Sequence, residues 1–273
     1  RERLGLVMLV HVRDVVLLGT VHADLDGFSR LETALEALRP RAIAVEMSAA
    51  RANLFEDCLD YDPLTIYREA HEQYLRLIEQ YLCNPFLFDL ARKRYAGPAV
   101  RWNMRQIAAM EAGARLLRAC CGFELRVARR YVDRHPGTEL SYIDLPEEDV
   151  DGVGRSRTGG GAHGILGNLG FLADNRAALD HGLIGFLALV RTLQDSYYDE
   201  AGGFLRRRYE QMTASWDKLP LHDGYRRAVY DPRREPYMAD QIKQLRRRTP
   251  HGRCVAVIGA THLVGLNRLL RGF

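Results

Sequence analysis

Short apolar runs and longer amphipathic stretches alternate along the chain, and this alternation predicts an α/β fold. Residues 15–19 and 42–46 are continuous apolar runs, typical of strands buried on both faces of a parallel sheet. Residues 29–40 between them have helical spacing, with Ser29 and Glu32 in a capping-box arrangement. These segments together predict a βαβ unit with a right-handed crossover.

The remaining chain continues the pattern. Residues 62–128 are predicted to be helical, residues 139–146 a strand that ends in Asp144, residues 173–219 mostly helical, and the last twenty residues a strand, a glycine turn and a helix. We therefore expect a single α/β domain over residues 1–273. Its central mixed, largely parallel sheet is flanked by helices, with a large helical insertion at about residues 62–240.

Composition narrows the class of protein. The net charge of +4 is too small to indicate a nucleic-acid partner, and the basic runs at 205–209 and 245–249 are predicted to be helix faces or ends. The five cysteines show no CxxC spacing, which favours a reducing compartment and a cytoplasmic location. No apolar run approaches the roughly 18 residues of a membrane span, and residues 1–18 are predicted to form strands rather than a signal peptide.

Residues 151–170 are unusually rich in glycine and include His163. Their composition predicts a loop, and a flap over a site is the more specific alternative. The stretch lacks the Gly-Lys-Ser/Thr of a phosphate-binding loop.

Two histidines follow apolar runs in the same local pattern. His22 in "LLGTVHADLDG" and His262 in "VAVIGATHLVG" both stand three residues after the glycine that ends a predicted strand, and Glu46 ends a third strand. If these strands are parallel, the three side chains emerge at one sheet edge, where open α/β sheets bind ligands. Two imidazoles and a carboxylate suit a divalent metal, with manganese, cobalt and zinc as candidates. Such a site activates water for hydrolysis; the alternative is that each histidine caps a helix or binds a carbonyl.

The segments "GTVH", "RPRAIAVEMSAAR", "RREPYMADQI" and "VAVIGATHLVGL" resemble, in order and context, the TraB/PrgY group. That group is related to Tiki proteases, erythromycin esterases and ChaN-type haem-binding proteins. The resemblance implies that His22 and His262 are the motif histidines, Glu46 the motif acid, and Arg51 and Arg234 the motif arginines. Many relatives have Asp or Asn after the last arginine, whereas this chain has Glu235.

Each further candidate also has a structural interpretation. Arg51 is as well explained as the ion-pair partner of Glu46 or a nearby carboxylate. A solvated surface role is favoured for Arg234, unless the chain folds back over the sheet edge, and a turn or helix-cap role is favoured for Asp144. Asp24 and His163 are further candidates for a coordination sphere.

These observations leave three functions open. The first is a metal-dependent hydrolase of a peptide or small-molecule substrate, in which Glu46 is either a ligand or the general base. The second is a protein that binds a peptide or haem in the same pocket without turnover. The third is a regulator that associates with a membrane through segments outside this chain. A homodimer is compatible with the helical insertion.

Overall fold

The sheet is built from five short strands. They are β1 (Met8–Val12), β2 (Val15–Thr20), β3 (Ala42–Val45), β4 (Glu139–Tyr142) and β5 (Cys254–Gly259). Their order is β1-β2-β5-β3-β4; β1 is antiparallel to β2, and the other pairs are parallel. The computed structural model describes residues 8–54, 62–95, 101–146, 169–199 and 233–271.

Helices flank this sheet and extend beyond it. Those in the described residues are α1 (Gly27–Leu38), α2 (Ala49–Leu54), α3 (Pro63–Cys83), α4 (Pro85–Tyr95), α5 (Met104–Cys120), α6 (Phe123–Arg134), α7 (Leu169–Asp174), α8 (Arg176–Leu179), α9 (Gly182–Asp199), α10 (Arg234–Arg248) and α11 (Leu263–Arg271). A 3₁₀ turn, Ala260–His262, joins β5 to α11. The predicted α/β class, with a mixed, largely parallel sheet flanked by helices, is confirmed.

Alternate residues of the central strands face two different helix pairs, as the continuous apolar runs predict. One set packs against α1 and α6: Val16, Leu18, Ile43, Val45, Val255 and Val257. The other packs against α10 and α11: Leu17, Ala42, Ala44, Cys254, Ala256 and Ile258. Because β5 lies between β2 and β3, the last strand of the chain is the centre of the sheet.

The helices α3 to α5 and α7 to α9, here called the helical layer, form a second apolar core. Ile66, Ala70, Leu77 and Tyr81, which recur at helical spacing along α3, are buried in it. Ala23 and Leu25, from the turn that follows β2, also belong to this core. Within the predicted insertion, α6 and β4 instead pack with the sheet. Because Ala23 and Leu25 are part of its core, the helical layer reaches the sheet edge at the turn after His22.

The capping box predicted for α1 is wrong. The helix begins two residues earlier, after Asp26, and Ser29 Oγ donates to the Asp26 carbonyl at 3.0 Å instead of accepting from an amide. Tertiary contacts decide this start. Arg191 donates to both Asp26 carboxylate oxygens at 3.0 Å, and at Gly27 a Cβ atom would lie 2.5 Å from the Phe123 ring.

Several further expectations concern segments at the margins of the described residues. The glycine-rich stretch and His163 lie outside them, except for the last two residues of the stretch, which begin α7. The basic run at 245–249 is the end of α10, as predicted, whereas 205–209 is outside. Cys83, Cys120, Cys121 and Cys254 are free thiols. Among the described helices, none combines the length and apolarity that a membrane crossing needs.

Replacement of Gly113 by alanine tests the packing of α5 against α9. An added Cβ would overlap the ring of Phe186, which is fully buried. Overpacking of this kind costs about 1–3 kcal/mol, which the better helix propensity of alanine offsets by less than about 1 kcal/mol. We expect Gly113→Ala to lower the free energy of unfolding by about 1–2 kcal/mol in urea titration. Arg115→Ala, at an exposed position of α5, should stay within about 0.5 kcal/mol; stabilisation by Gly113→Ala would refute this packing.

Candidate functional site

The fold brings His22, Glu46 and His262 together at the carboxyl ends of β2, β3 and β5. His22 Nε2 lies 4.0 Å and His262 Nε2 lies 3.4 Å from Glu46 Oε1. Gly259, which ends β5, makes this approach possible because a Cβ there would lie 2.7 Å from His22 Nε2. The repeated glycine-x-x-histidine pattern thus corresponds to one place in the structure.

Glu46 is the buried centre of the cluster. Its Oε1 accepts from Arg234 Nη2 at 2.6 Å, and its Oε2 accepts from the Gly259 amide at 2.5 Å. Burial alone would raise the pKa of this carboxyl, but His262 and then Arg234 lower it well below its usual range. Glu46 is consequently a stable anion and a weak base.

Arg234 and Asp144 form a buried pair. The chain folds back over the sheet edge, so the surface role favoured for Arg234 is wrong; Asp144 does make a local turn contact, since its Oδ1 accepts from the Leu145 amide at 2.9 Å, but it also binds Arg234. Arg234 is the first residue of α10, and its Nε and Nη2 donate to the two carboxylate oxygens of Asp144 at 2.8 and 2.9 Å. Only 11% of the Arg234 side chain is exposed, because α10 packs on the sheet and its first turn lies over the sheet edge. Although burial opposes the charge, Glu46 and Asp144 raise the pKa of Arg234.

His22 is held by a carboxylate that the sequence analysis did not find. Its Nδ1 lies 2.9 Å from Glu124 Oε1, and Thr20 Oγ1 donates to the same oxygen at 2.9 Å. Because a carboxylate oxygen accepts, Nδ1 carries a proton in this contact, and Nε2 faces Glu46. Desolvation of the ring lowers the pKa of His22, but Glu124 and Glu46 outweigh it and raise that pKa. The side chain is 47% exposed.

His262 has a matching partner in Glu235, the residue whose role the family resemblance left in doubt. His262 Nδ1 lies 3.1 Å from Glu235 Oε1, so the ring stands between two carboxylates and is only 7% exposed. Burial opposes protonation, yet Glu46 and the hydrogen bonds to both carboxylates raise the pKa of His262 to about 9. Gly265 is required here because a Cβ would overlap the Glu235 carboxylate.

The two carboxylates on the histidines differ in how well the sequence signals them. Glu235 follows the motif residue Arg234 directly, and this adjacency was a usable signal. Glu124 lies 102 residues from His22, in the first turn of α6. No local pattern distinguishes it from other helix-start acids, which are common because they favour the helix dipole.

The remaining candidates lie around this centre. Arg51 Nη1 is 3.8 Å from Asp144 Oδ2 and its side chain is 46% exposed, so it pairs with a neighbouring carboxylate rather than with Glu46. Asp24 accepts from Arg30 at 3.0 Å and from the Asp26 amide at 3.0 Å. Asp24 is thus engaged at the start of α1.

The donor set fits a divalent cation in type and in its supporting hydrogen bonds. Metal-bound histidines commonly donate the second ring nitrogen to a carboxylate, as His22 and His262 do here. Two atoms that each lie about 2.0–2.2 Å from one ion are at most about 4.4 Å apart, and the two distances to Glu46 Oε1 satisfy this limit. Across the described ranges, however, no group of three or more His, Cys, Asp or Glu side chains is already arranged as a metal cage.

No protein-family model matches the chain, and no curated protein matches it either. The likeness to the TraB/PrgY group therefore rests on the quoted motifs and remains a prediction.

Arg234→Met should expose the charge dependence of the site. The variant leaves Glu46 and Asp144 buried without their shared cation, which typically costs about 3–5 kcal/mol. We expect that loss in urea unfolding at neutral pH, and a smaller difference from wild type at acidic pH, where protonation of Glu46 reduces the uncompensated charge. Arg248→Met is the matched control because Arg248 pairs with Glu139 at an exposed position. It should cost at most about 1 kcal/mol, and equal losses for both variants would contradict the proposed network.

The raised pKa of His262 predicts a loss of stability in alkali. The folded protein holds this proton to about pH 9, against 6.5 for an ordinary histidine. Protonated His262 therefore stabilises the fold fully below about pH 6.5, and the stabilisation disappears as the pH rises through about 9, by at most about 3 kcal/mol. Glu46 acts oppositely: its contribution is complete above about pH 4.5 and is lost as the pH falls through its lowered pKa.

Urea unfolding at about pH 6 and about pH 10 measures this change. His262→Gln should remove most of the alkaline loss, while His251→Gln, at an exposed position, should keep it. An unchanged slope in His262→Gln would refute the assignment.

Proposed function

We propose that the chain is a metal-dependent hydrolase that acts on the carbonyl group of a peptide or ester. The observation that carries the proposal is the shared arrangement of the two motif histidines. Each directs Nδ1 to a buried carboxylate and Nε2 to Glu46. Fixing one ring nitrogen in this way sets the orientation and raises the basicity of the other, as metal sites require.

The charge of the cluster supports a cation. The side chains of Glu46, Glu124, Asp144 and Glu235 are at most 14% exposed. Arg234 is the buried cationic partner of Glu46 and Asp144, and Arg51 lies near Asp144 from the exposed side. Protonation of both imidazoles would supply two further positive charges, and a divalent ion would supply the same number. The site is therefore electrostatically suited to exchange two protons for one ion.

His22, Glu46 and His262 would hold the ion. An ion there would supply a water of lowered pKa and would polarise the substrate carbonyl. Of the two roles left open for Glu46, the structure favours the ligand: a carboxylate whose pKa is held well below its usual range accepts a proton poorly near neutral pH.

The substrate would approach from the side of His22 and Arg51, whose side chains are 47% and 46% exposed. The planar guanidinium of Arg51 is a type of group that suits a carbonyl or carboxylate oxygen. Arg234 is buried and bonded to two carboxylates, so its part is to hold Glu46 in place. Both arginines that the resemblance implies thus have distinct tasks, one toward the substrate and one toward the anion.

Metal analysis combined with hydrolysis assays tests this proposal. The purified chain would be stripped of metal, supplied with Mn²⁺, Co²⁺ or Zn²⁺, and assayed on p-nitrophenyl esters and a fluorogenic peptide mixture. We expect metal-dependent activity that falls at least about 100-fold in His22→Ala and His262→Ala. His71→Ala alters an exposed histidine of α3 and should leave activity unchanged.

The outcomes separate the competing functions. Wild type that is equally active with and without metal, together with unchanged activity in both variants, would overturn the metal-dependent hydrolase. Binding of haem, seen as a Soret band that His22→Ala abolishes, or retention of peptides without turnover would favour the binding alternative.

A further inference from the structure

The turn that follows His22 is held by a side chain of the helical layer. Gln194 of α9 donates from Nε2 to the Ala23 carbonyl at 2.8 Å and accepts from the Leu25 amide at 3.2 Å. Gln194 is 1% exposed, so these bonds are made without competition from water. Only a primary amide offers a donor and an acceptor side by side in this way.

Other contacts from the helical layer to this turn are more exposed. Arg191 binds the Asp26 carboxylate, and its side chain is 45% exposed. Asp195 accepts from Arg30 at 2.7 Å, and its side chain is 43% exposed. Exposed ion pairs contribute little and weaken with salt. The amide of Gln194 is the more buried of these polar contacts, so water and salt weaken it least.

The position of this turn decides where the His22 ring lies. Two backbone hydrogen bonds are described within the turn. The Asp24 amide donates to the Val21 carbonyl at 2.8 Å, and the Gly27 amide donates to the Asp24 carbonyl at 3.2 Å. Ala23, next to His22, is fully buried in the core of the helical layer. A shift of about 1 Å would break the 2.9 Å contact between His22 Nδ1 and Glu124, and with it the direction of Nε2.

We propose that Gln194 is a positioning residue of this site: by holding both sides of the turn, it fixes His22 on Glu124. A part for Gln194 in the reaction rests on the proposed hydrolase, but its contacts with the turn exist without substrate or metal. The helical layer is then part of the site's construction, since it determines which nitrogen of His22 faces Glu46.

The experiment compares Gln194→Met with Gln106→Met. Gln106 is a matched control because it is 3% exposed and lies in the same layer. Its side chain accepts from the Asn103 amide at 2.9 Å and donates to Asp180 at 2.9 Å. Neither bond reaches the His22 turn. Both variants remove a buried amide of the same kind, so loss of stability alone affects both.

Three measurements on the full chain are made. Long-range ¹H–¹⁵N spectra, at a pH where the ring is neutral, report the His22 tautomer; amide exchange reports the Leu25 bond; Zn²⁺ titration reports affinity. In wild type and Gln106→Met we expect a single Nδ1–H tautomer. In Gln194→Met we expect a mixture of tautomers, Leu25 exchange at least about 10-fold faster, and Zn²⁺ affinity about 10- to 100-fold weaker.

An unchanged His22 tautomer in Gln194→Met, or equal changes in both variants, would overturn the positioning role. If wild type binds no Zn²⁺, the proposed metal site fails, while the tautomer and Leu25 exchange still decide the role of Gln194. If Gln194→Met does not fold, Gln194→Asn replaces it. That variant keeps the amide but is one methylene shorter, so it no longer reaches both the Ala23 carbonyl and the Leu25 amide; we expect a partial change in the tautomer, and its absence would overturn the proposal.

Discussion

The burial of the Glu46 carboxylate is the constraint on which this structure depends. A buried carboxylate is tolerated only where hydrogen bonds and positive charge compensate for lost water. Here the compensation comes from α10 through Arg234, from the end of β5 through the Gly259 amide, and from His262. One side chain therefore ties together segments that lie up to 213 residues apart.

This constraint also sets the chemistry of the site. Arg234 serves two anions at once, Glu46 and Asp144, and each imidazole also faces a carboxylate of its own, Glu124 or Glu235. Together with Glu46, these two carboxylates raise the pKa of both histidines. The same field that attracts protons attracts a divalent cation, which links the stability of the fold, its pH dependence and the proposed metal through one electrostatic cause.

Local sequence patterns predict the parts of this architecture that local physics determines. The apolar runs indicated the buried strands, and the repeated glycine-x-x-histidine pattern indicated which side chains emerge at one edge. The pairing of Glu124 with His22 and the burial of Arg234 depend instead on how distant helices pack, which no local spacing encodes. The start of α1 shows the same limit. Ser29 and Glu32 predicted a capping box, but contacts from Arg191 and Phe123 place the start of the helix earlier.

The three central side chains differ in how they are held, and this difference gives the site a direction. Glu46 and His262 are each less than a tenth exposed and are fixed by the sheet, α10 and the turn after β5. His22 is about half exposed and stands at the start of a turn whose backbone is bonded to the helical layer. A ligand that reaches Glu46 from solvent therefore meets His22 first. Since that ring is positioned by α9, changes in the helical layer alter access and orientation at the site without disturbing its buried charges.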